Sequence, residues 1–159
     1  MSLLEYFNEV QLENSWSGTP LEKYHALTPK KKGAYSEKFV RSYLEEKGYK
    51  VENPISSGHD FVLEGKKVGL KFGLATDRNT NWRTIFNHIG LQKDWEEIIF
   101  VCVNGDCQVR MVKFTKGNLP KKLLSHQQGG NNSENDDYMI NGAKARILLF
   151  ETEGAEVII

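Results

Sequence analysis

Apolar residues at positions 2–13 fall on one side of a helix, with Leu3, Leu4, Phe7 and Val10 in line. Ser15 to Pro20 breaks that pattern, and a short helical turn around Leu21–Leu27 follows. Thr28-Pro29 and Lys30-Lys31-Lys32-Gly33 mark a boundary, so residues 1–32 read as a helical appendage. Ala34 to Lys47 predicts a helix whose stripe of Phe39, Val40, Tyr43 and Leu44 packs on a sheet and which stops at Gly48. Tyr49–Ile55 reads as a strand and Ser56-Ser57-Gly58 as a turn. A hairpin comes next, with strands His59–Leu63 and Lys67–Leu74 around Glu64-Gly65-Lys66. Alternation in its second strand puts Val68, Leu70, Phe72 and Leu74 on an inward face and Gly69, Lys71 and Gly73 on an open one.

Past a polar connection at 75–81, Trp82, Ile85, Phe86 and Ile89 have the spacing of a helix ending near Gly90 to Asp94. His88 and Trp82 then read as core or helix-surface residues. Glu97–Val103 is apolar throughout, as in a strand covered on both faces. Asn104-Gly105-Asp106 predicts a turn and Gln108–Phe114 the returning strand. Lys116 to Asn141 is long, polar and irregular, and Ala143–Phe150 reads as a last strand. The order predicts an α/β fold, a mixed β-sheet flanked by helices, in one domain of 159 residues. Neither the dinucleotide-binding nor the P-loop glycine pattern is present.

Composition narrows this little. Hydrophobic residues make up 39% and charged residues 26%, a globular balance. No apolar run is long enough for a membrane span, and the N-terminus lacks the basic start of a secretory signal. Cys102 and Cys107 are therefore expected as free, buried thiols. Net charge is zero but unevenly spread: Cys107 to Gln128 holds five basic residues and no acid, whereas Glu134 to Ile159 holds six acids against two bases. Local basic surface matters more than the sum for a polyanionic partner, but charge alone favours a merely solvated face.

The chemistry gathers at the hairpin. Asp60 opens one strand, Lys71 lies on its neighbour, and Glu37 lies on the preceding helix. Carboxylate oxygens suit Mg²⁺, which stabilises charge on a phosphate and acidifies a bound water. A lysine beside them neutralises the phosphate. Plain structural uses exist too. Asp60 fits a turn, Lys71 a solvent face, and Glu37 the first turn of a helix, where an acid complements the dipole. No His/Cys spacing suggests zinc.

Here the chain resembles the PD-(D/E)xK nuclease superfamily, most closely its small type II restriction endonucleases. The matching text is Glu37 in GAYSEKFVRSYLEEKGYKV, Asp60 in SSGHDFVLEG and Lys71 in KKVGLKFG, with TIFNHIGLQKDWEEIIFVCV like the segment after the family's lysine. It covers residues 33–114, which become the nuclease core, leaving 115–159 as a loop and final strand for DNA recognition. The archaeal Holliday-junction resolvases have a similar start, but the C-terminal part fits them less well. The resemblance implies a restriction-endonuclease-like sheet and Mg²⁺-dependent cleavage of double-stranded DNA at a specific sequence. It also implies a homodimer, a cytoplasmic location in a prokaryote or phage, and metal ligands at Asp60, Glu37 and the backbone carbonyl of Leu70.

One position departs. The family carries Glu, Asp or sometimes Gln where this chain has Gly69. The acid was removed by substitution so that the chain binds without cutting, or the chain is naturally degenerate, or Glu64 or Glu37 supplies the ligand. The first reading is preferred, because the other residues are in place and glycine has no evident use in that strand. A non-catalytic DNA-binding module on a nuclease fold, or a partner-binding 116–141 loop, is the alternative from outside the enzymes.

For DNA contact, Asn and Gln pair with adenine and Arg with guanine in the major groove. Two polar stretches have that chemistry: one with Arg78, Asn79, Asn81 and Arg83, the other with His126, Gln127, Gln128, Asn131 and Asn132, which reads equally as a plain polar loop. Ser57 and His59 lie beside Asp60, where His59 reads either as a contact to the scissile phosphate or as a plain turn histidine. Lys30–Lys32, Lys66, Lys67, Lys113, Lys121 and Lys122 are candidate backbone contacts.

Overall fold

A computed structural model describes residues 16–75, 81–127 and 137–159. The predicted first helix, Arg78, Asn79, Gln128, Asn131 and Asn132 lie outside the described residues.

Helix α1 (Glu22–His25) is short. Helix α2 (Pro29–Glu46) begins earlier than the sequence suggests. The Thr28 hydroxyl accepts from the Lys31 N–H at 3.4 Å, and Pro29 takes the first turn, where its missing N–H costs nothing. What reads as a boundary is therefore an N-cap, and Lys30–Gly33 belong to the helix. The division at residue 32/33 falls inside it. The buried stripe is Ser36, Val40 and Leu44, while Phe39 is 54% exposed against Tyr35. Glu37 sits well inside the helix, so a first-turn role is removed.

The main sheet has six strands in the order β1-β2-β3-β5-β6-β9. They are β1 (Val51–Glu52), β2 (Phe61–Leu63), β3 (Lys66–Leu74), β5 (Glu97–Val103), β6 (Val109–Thr115) and β9 (Glu156–Val157). The strand expected at 49–55 shrinks to β1, with Pro54 soon after it. Glu64 and Gly65, with φ of 49° and 79°, close β2 and β3 in a two-residue turn, so Lys66 is already strand. β3 runs parallel to β5; the other pairs in this sheet are antiparallel. Asn104 organises the β5–β6 turn by accepting from the N–H groups of Asp106 and Gln108.

The predicted helix at 82–89 is instead strand β4 (Thr84–Gly90). Thr84 and Phe86 are buried and Ile85 exposed, the alternation of a strand. The register then shifts between Phe86 and Ile89, and His88 takes a φ of 55°. Two outward residues, Asn87 and His88, stand in succession, and Ile89 returns to the core. One bulge thus converts a spacing of two into a spacing of three and imitates a helix. β4 pairs with β8 (Asp137–Gly142), and β8 with β7 (Ser125–His126), giving a second sheet. The stretch expected as a loop at 116–141 therefore carries two strands and two short 3-10 turns. The expected last strand is helix α3 (Ala143–Phe150), which buries Ala145, Leu148 and Leu149 at helical spacing.

Both faces of the main sheet are covered. α2 packs on one through Val40, Leu44, Phe61, Leu63, Val68, Ile99 and Val101. The second sheet and α3 cover the other, where Phe86 meets Phe100 at 4.9 Å and Phe100 meets Phe114 at 6.0 Å. β5 is accordingly buried on both faces as predicted. The face of β3 that carries Gly69, Lys71 and Gly73 is not open: Trp95 and Thr84 lie against it. Cys102 is buried and its thiol is pushed up to about 12 by burial, while Cys107 is only half-buried; both are free. Among the described residues no helix is long and apolar enough to cross a membrane.

Candidate active site

Glu37, Asp60 and Lys71 come from three elements and line one cavity of about 670 Å³. Lys30, Lys32, Tyr24, Leu70 and Asn87 share its wall. Asp60 is fixed twice: its N–H donates to the Val68 carbonyl at 2.8 Å, and its Oδ2 accepts from the Leu70 N–H at 2.6 Å. It therefore belongs to the hairpin rather than to a loose turn. Leu70 meets Asp60 through its backbone N–H.

Burial raises the pKa of Glu37, and the charge of Asp60 raises it further; Arg41, 3.5 Å away, opposes both. Lys71 behaves conversely. Burial lowers it, Asp60 raises it, Lys93 lowers it and Asp137 raises it, with a net fall. Its Nζ donates to the His88 carbonyl at 2.9 Å. The bulge in β4 aims that carbonyl at the lysine, and Gly73 allows β4 to come so close: a Cβ there would lie 2.5 Å from Thr84 Oγ1. Gly69 differs. A Cβ at 69 would meet Trp95 at 3.6 Å, an ordinary contact. The side chain would enter a narrow cleft of about 80 Å³ that also holds Asp60, Lys71, His88 and Lys93. Glycine at 73 is sterically required, and glycine at 69 is not.

His59 is not available to a phosphate. It is buried, its Nε2 accepts from the Ile55 N–H at 3.0 Å, and its Nδ1 lies 3.1 Å from Asp94 Oδ1. Ser56 donates to Asp94 Oδ2 at 2.7 Å. These bonds pull Asp94 below the usual carboxylate range, the Ser56 bond most, and clasp the loop that delivers Asp60. Ser57 is exposed in the narrow cleft. Asn81 and Arg83 are exposed on the approach to β4. His126 stacks on Tyr138 at 4.8 Å, and Gln127 Oε1 accepts from the His88 N–H at 3.3 Å. Lys113 is not a free cation. Burial acts to lower it, but Glu156 at 3.0 Å and Glu97 at 3.1 Å outweigh that and raise its pKa.

The donor chemistry suits a hard cation in kind. Two carboxylates that repel each other face a polar cavity, and oxygen ligands are what Mg²⁺ takes. The number falls short: among the described residues no three His, Cys, Asp or Glu side chains are grouped to hold a metal. Asn87, His88 and Lys93 were not among the sequence candidates. The helical reading of 82–89 hid the first two, because it did not place them beside Lys71. Comparison with family models and with curated proteins finds no match to the chain.

Proposed function

We propose that this chain is a double-stranded DNA endonuclease of the type II restriction kind, held in a binding-competent but poorly cutting form by Gly69. The observation that carries this is the convergence of Glu37, Asp60 and Lys71 on one cavity with lysines at its rim. A polyanion enters such a cavity favourably, and the two carboxylates then need a cation between them and the phosphate. Mg²⁺ held by Asp60 and Glu37 would polarise the phosphate and lower the pKa of a water.

The chain's own groups do the rest. Lys71 is desolvated and can leave the His88 carbonyl for a phosphate oxygen or the attacking water. Hydrolysis adds the water oxygen to phosphorus, breaks one P–O bond and returns a proton to the departing oxygen. The clasp of His59, Ser56 and Asp94 holds Asp60 in place while this happens. A homodimer on a palindromic site gives a cut in each strand.

Two features favour weak cutting in the chain as it stands: the missing third carboxylate, and a lysine already engaged with His88. The test is nicking of supercoiled plasmid with Mg²⁺ by the chain, by Gly69→Glu and by Gly69→Glu/Lys71→Met. Cleavage is expected only, or far faster, in Gly69→Glu. If none of the three nicks while each binds duplex, the protein is a DNA-binding module and the enzyme reading falls.

A further inference from the structure

The bulge of β4 places two polar residues side by side on the outer face of that strand. Asn87 lines the large cavity with Glu37, Asp60 and Lys71. His88 lines the narrow cleft with Ser57, Asp60, Gly69, Lys71 and Lys93. The two spaces share Asp60 and Lys71, so Asn87 and His88 stand on either side of the candidate reacting position.

Both side chains are available. The His88 side chain is 67% exposed, and its Nδ1 lies 3.8 Å from Asp137 Oδ2. Asn87 is exposed, and no hydrogen bond of its amide is seen among the described residues. The backbone beneath them is tied down at both ends of His88: the N–H donates to Gln127 Oε1, and the carbonyl accepts from Lys71. A left-handed φ at a histidine is an uncommon conformation. Here it turns a carbonyl inward and two polar side chains outward, which a regular strand cannot do with neighbouring residues.

Resting on the endonuclease reading, we infer that Asn87 and His88 are substrate-contacting residues that grip the sugar-phosphate backbone on both sides of the scissile phosphodiester. His88 donates to a phosphate oxygen in the cleft, where Lys93 adds charge. Asn87 donates its amide to the backbone in the cavity, towards Lys30 and Lys32. Neither contact reads a base, so their loss weakens binding on every sequence.

The test uses His88→Gly, which keeps the left-handed backbone and the carbonyl to which Lys71 donates, and Asn87→Ala, each in the Gly69→Glu chain. Duplex binding is read by fluorescence anisotropy, and cleavage by kcat and KM, with thermal melts to confirm folding. The expected result is a fivefold to tenfold weaker Kd and a matching rise in KM for each, with kcat within about threefold and melting unchanged; one lost phosphate contact is ~1–1.4 kcal/mol. If Gly69→Glu cuts and both variants keep Kd and KM within twofold, the grip is wrong and the endonuclease reading stands. If Gly69→Glu does not cut but binds duplex, weaker binding by the variants supports the grip without the enzyme. Unchanged binding there, or no duplex binding at all, overturns it.

Discussion

Replacing Lys71 with methionine should make the protein more stable. The Lys71 ammonium makes one hydrogen bond, to the His88 carbonyl, and among the described residues it has no carboxylate within ion-pair distance. Its pKa falls because burial outweighs the attraction of Asp60 and Asp137, so the charged form is held at a cost. Methionine has nearly the same length and no charge. Removing a buried polar head gains ~2 kcal/mol. Losing its bond costs ~1 kcal/mol, since the freed carbonyl belongs to an exposed residue and finds water. The net gain is about 1 kcal/mol, or ~2–4 °C in Tm for a chain of this size.

The pH dependence gives a second check on Lys71→Met. The folded pKa of Lys71 lies below the unfolded one. The penalty is therefore complete below the folded pKa and disappears as the pH rises through it towards the unfolded value of ~10.4. The advantage of Lys71→Met should be widest at neutral pH and shrink as the pH climbs. Circular-dichroism melts at pH 7 and at pH 10 read both. A variant that melts below the parent at pH 7, or an advantage that grows with pH, would refute the reasoning.

The two glycines beside Lys71 should behave oppositely. Gly73→Ala forces a Cβ against Thr84, whose Oγ1 is already bonded to the Leu74 carbonyl, and should cost ~1–3 kcal/mol in urea unfolding. Gly69→Ala has room and should gain ~0.5–1 kcal/mol from a stiffer unfolded chain. His59→Ala removes the acceptor of the Ile55 N–H and half of the Asp94 clasp; urea melts should show a loss of ~2–3 kcal/mol. Glu37→Gln should stabilise at pH 7, because burial and then Asp60 raise the folded pKa of Glu37 and penalise its charged form. That benefit fades as the pH falls through the folded pKa and is gone below the unfolded value of ~4.3. Equal melts of Glu37→Gln and parent at pH 7 would count against it.

The hairpin was legible because its signals are local. Alternation, a Glu-Gly turn and an apolar β5 each state their own structure. Asp60 and Lys71 come together because adjacent strands oblige them to. β4 was illegible because a single bulge rewrites its period, and nothing in Asn87-His88 announces a left-handed residue. α3 was mistaken for a strand because Ile147, Leu148 and Leu149 form a short apolar run, which suits either element. The covering of Lys71 by the second sheet is a long-range pairing of β4 with β8, set by residues more than forty positions apart. Of the two readings open to His59, only the fold shows that both ring nitrogens are engaged.

Sequencing the ends of genomic DNA digested by Gly69→Glu with Mg²⁺ tests the central claim most directly. The account predicts discrete fragments whose ends share one short palindromic sequence. Random ends, or intact DNA at every enzyme concentration, would contradict it.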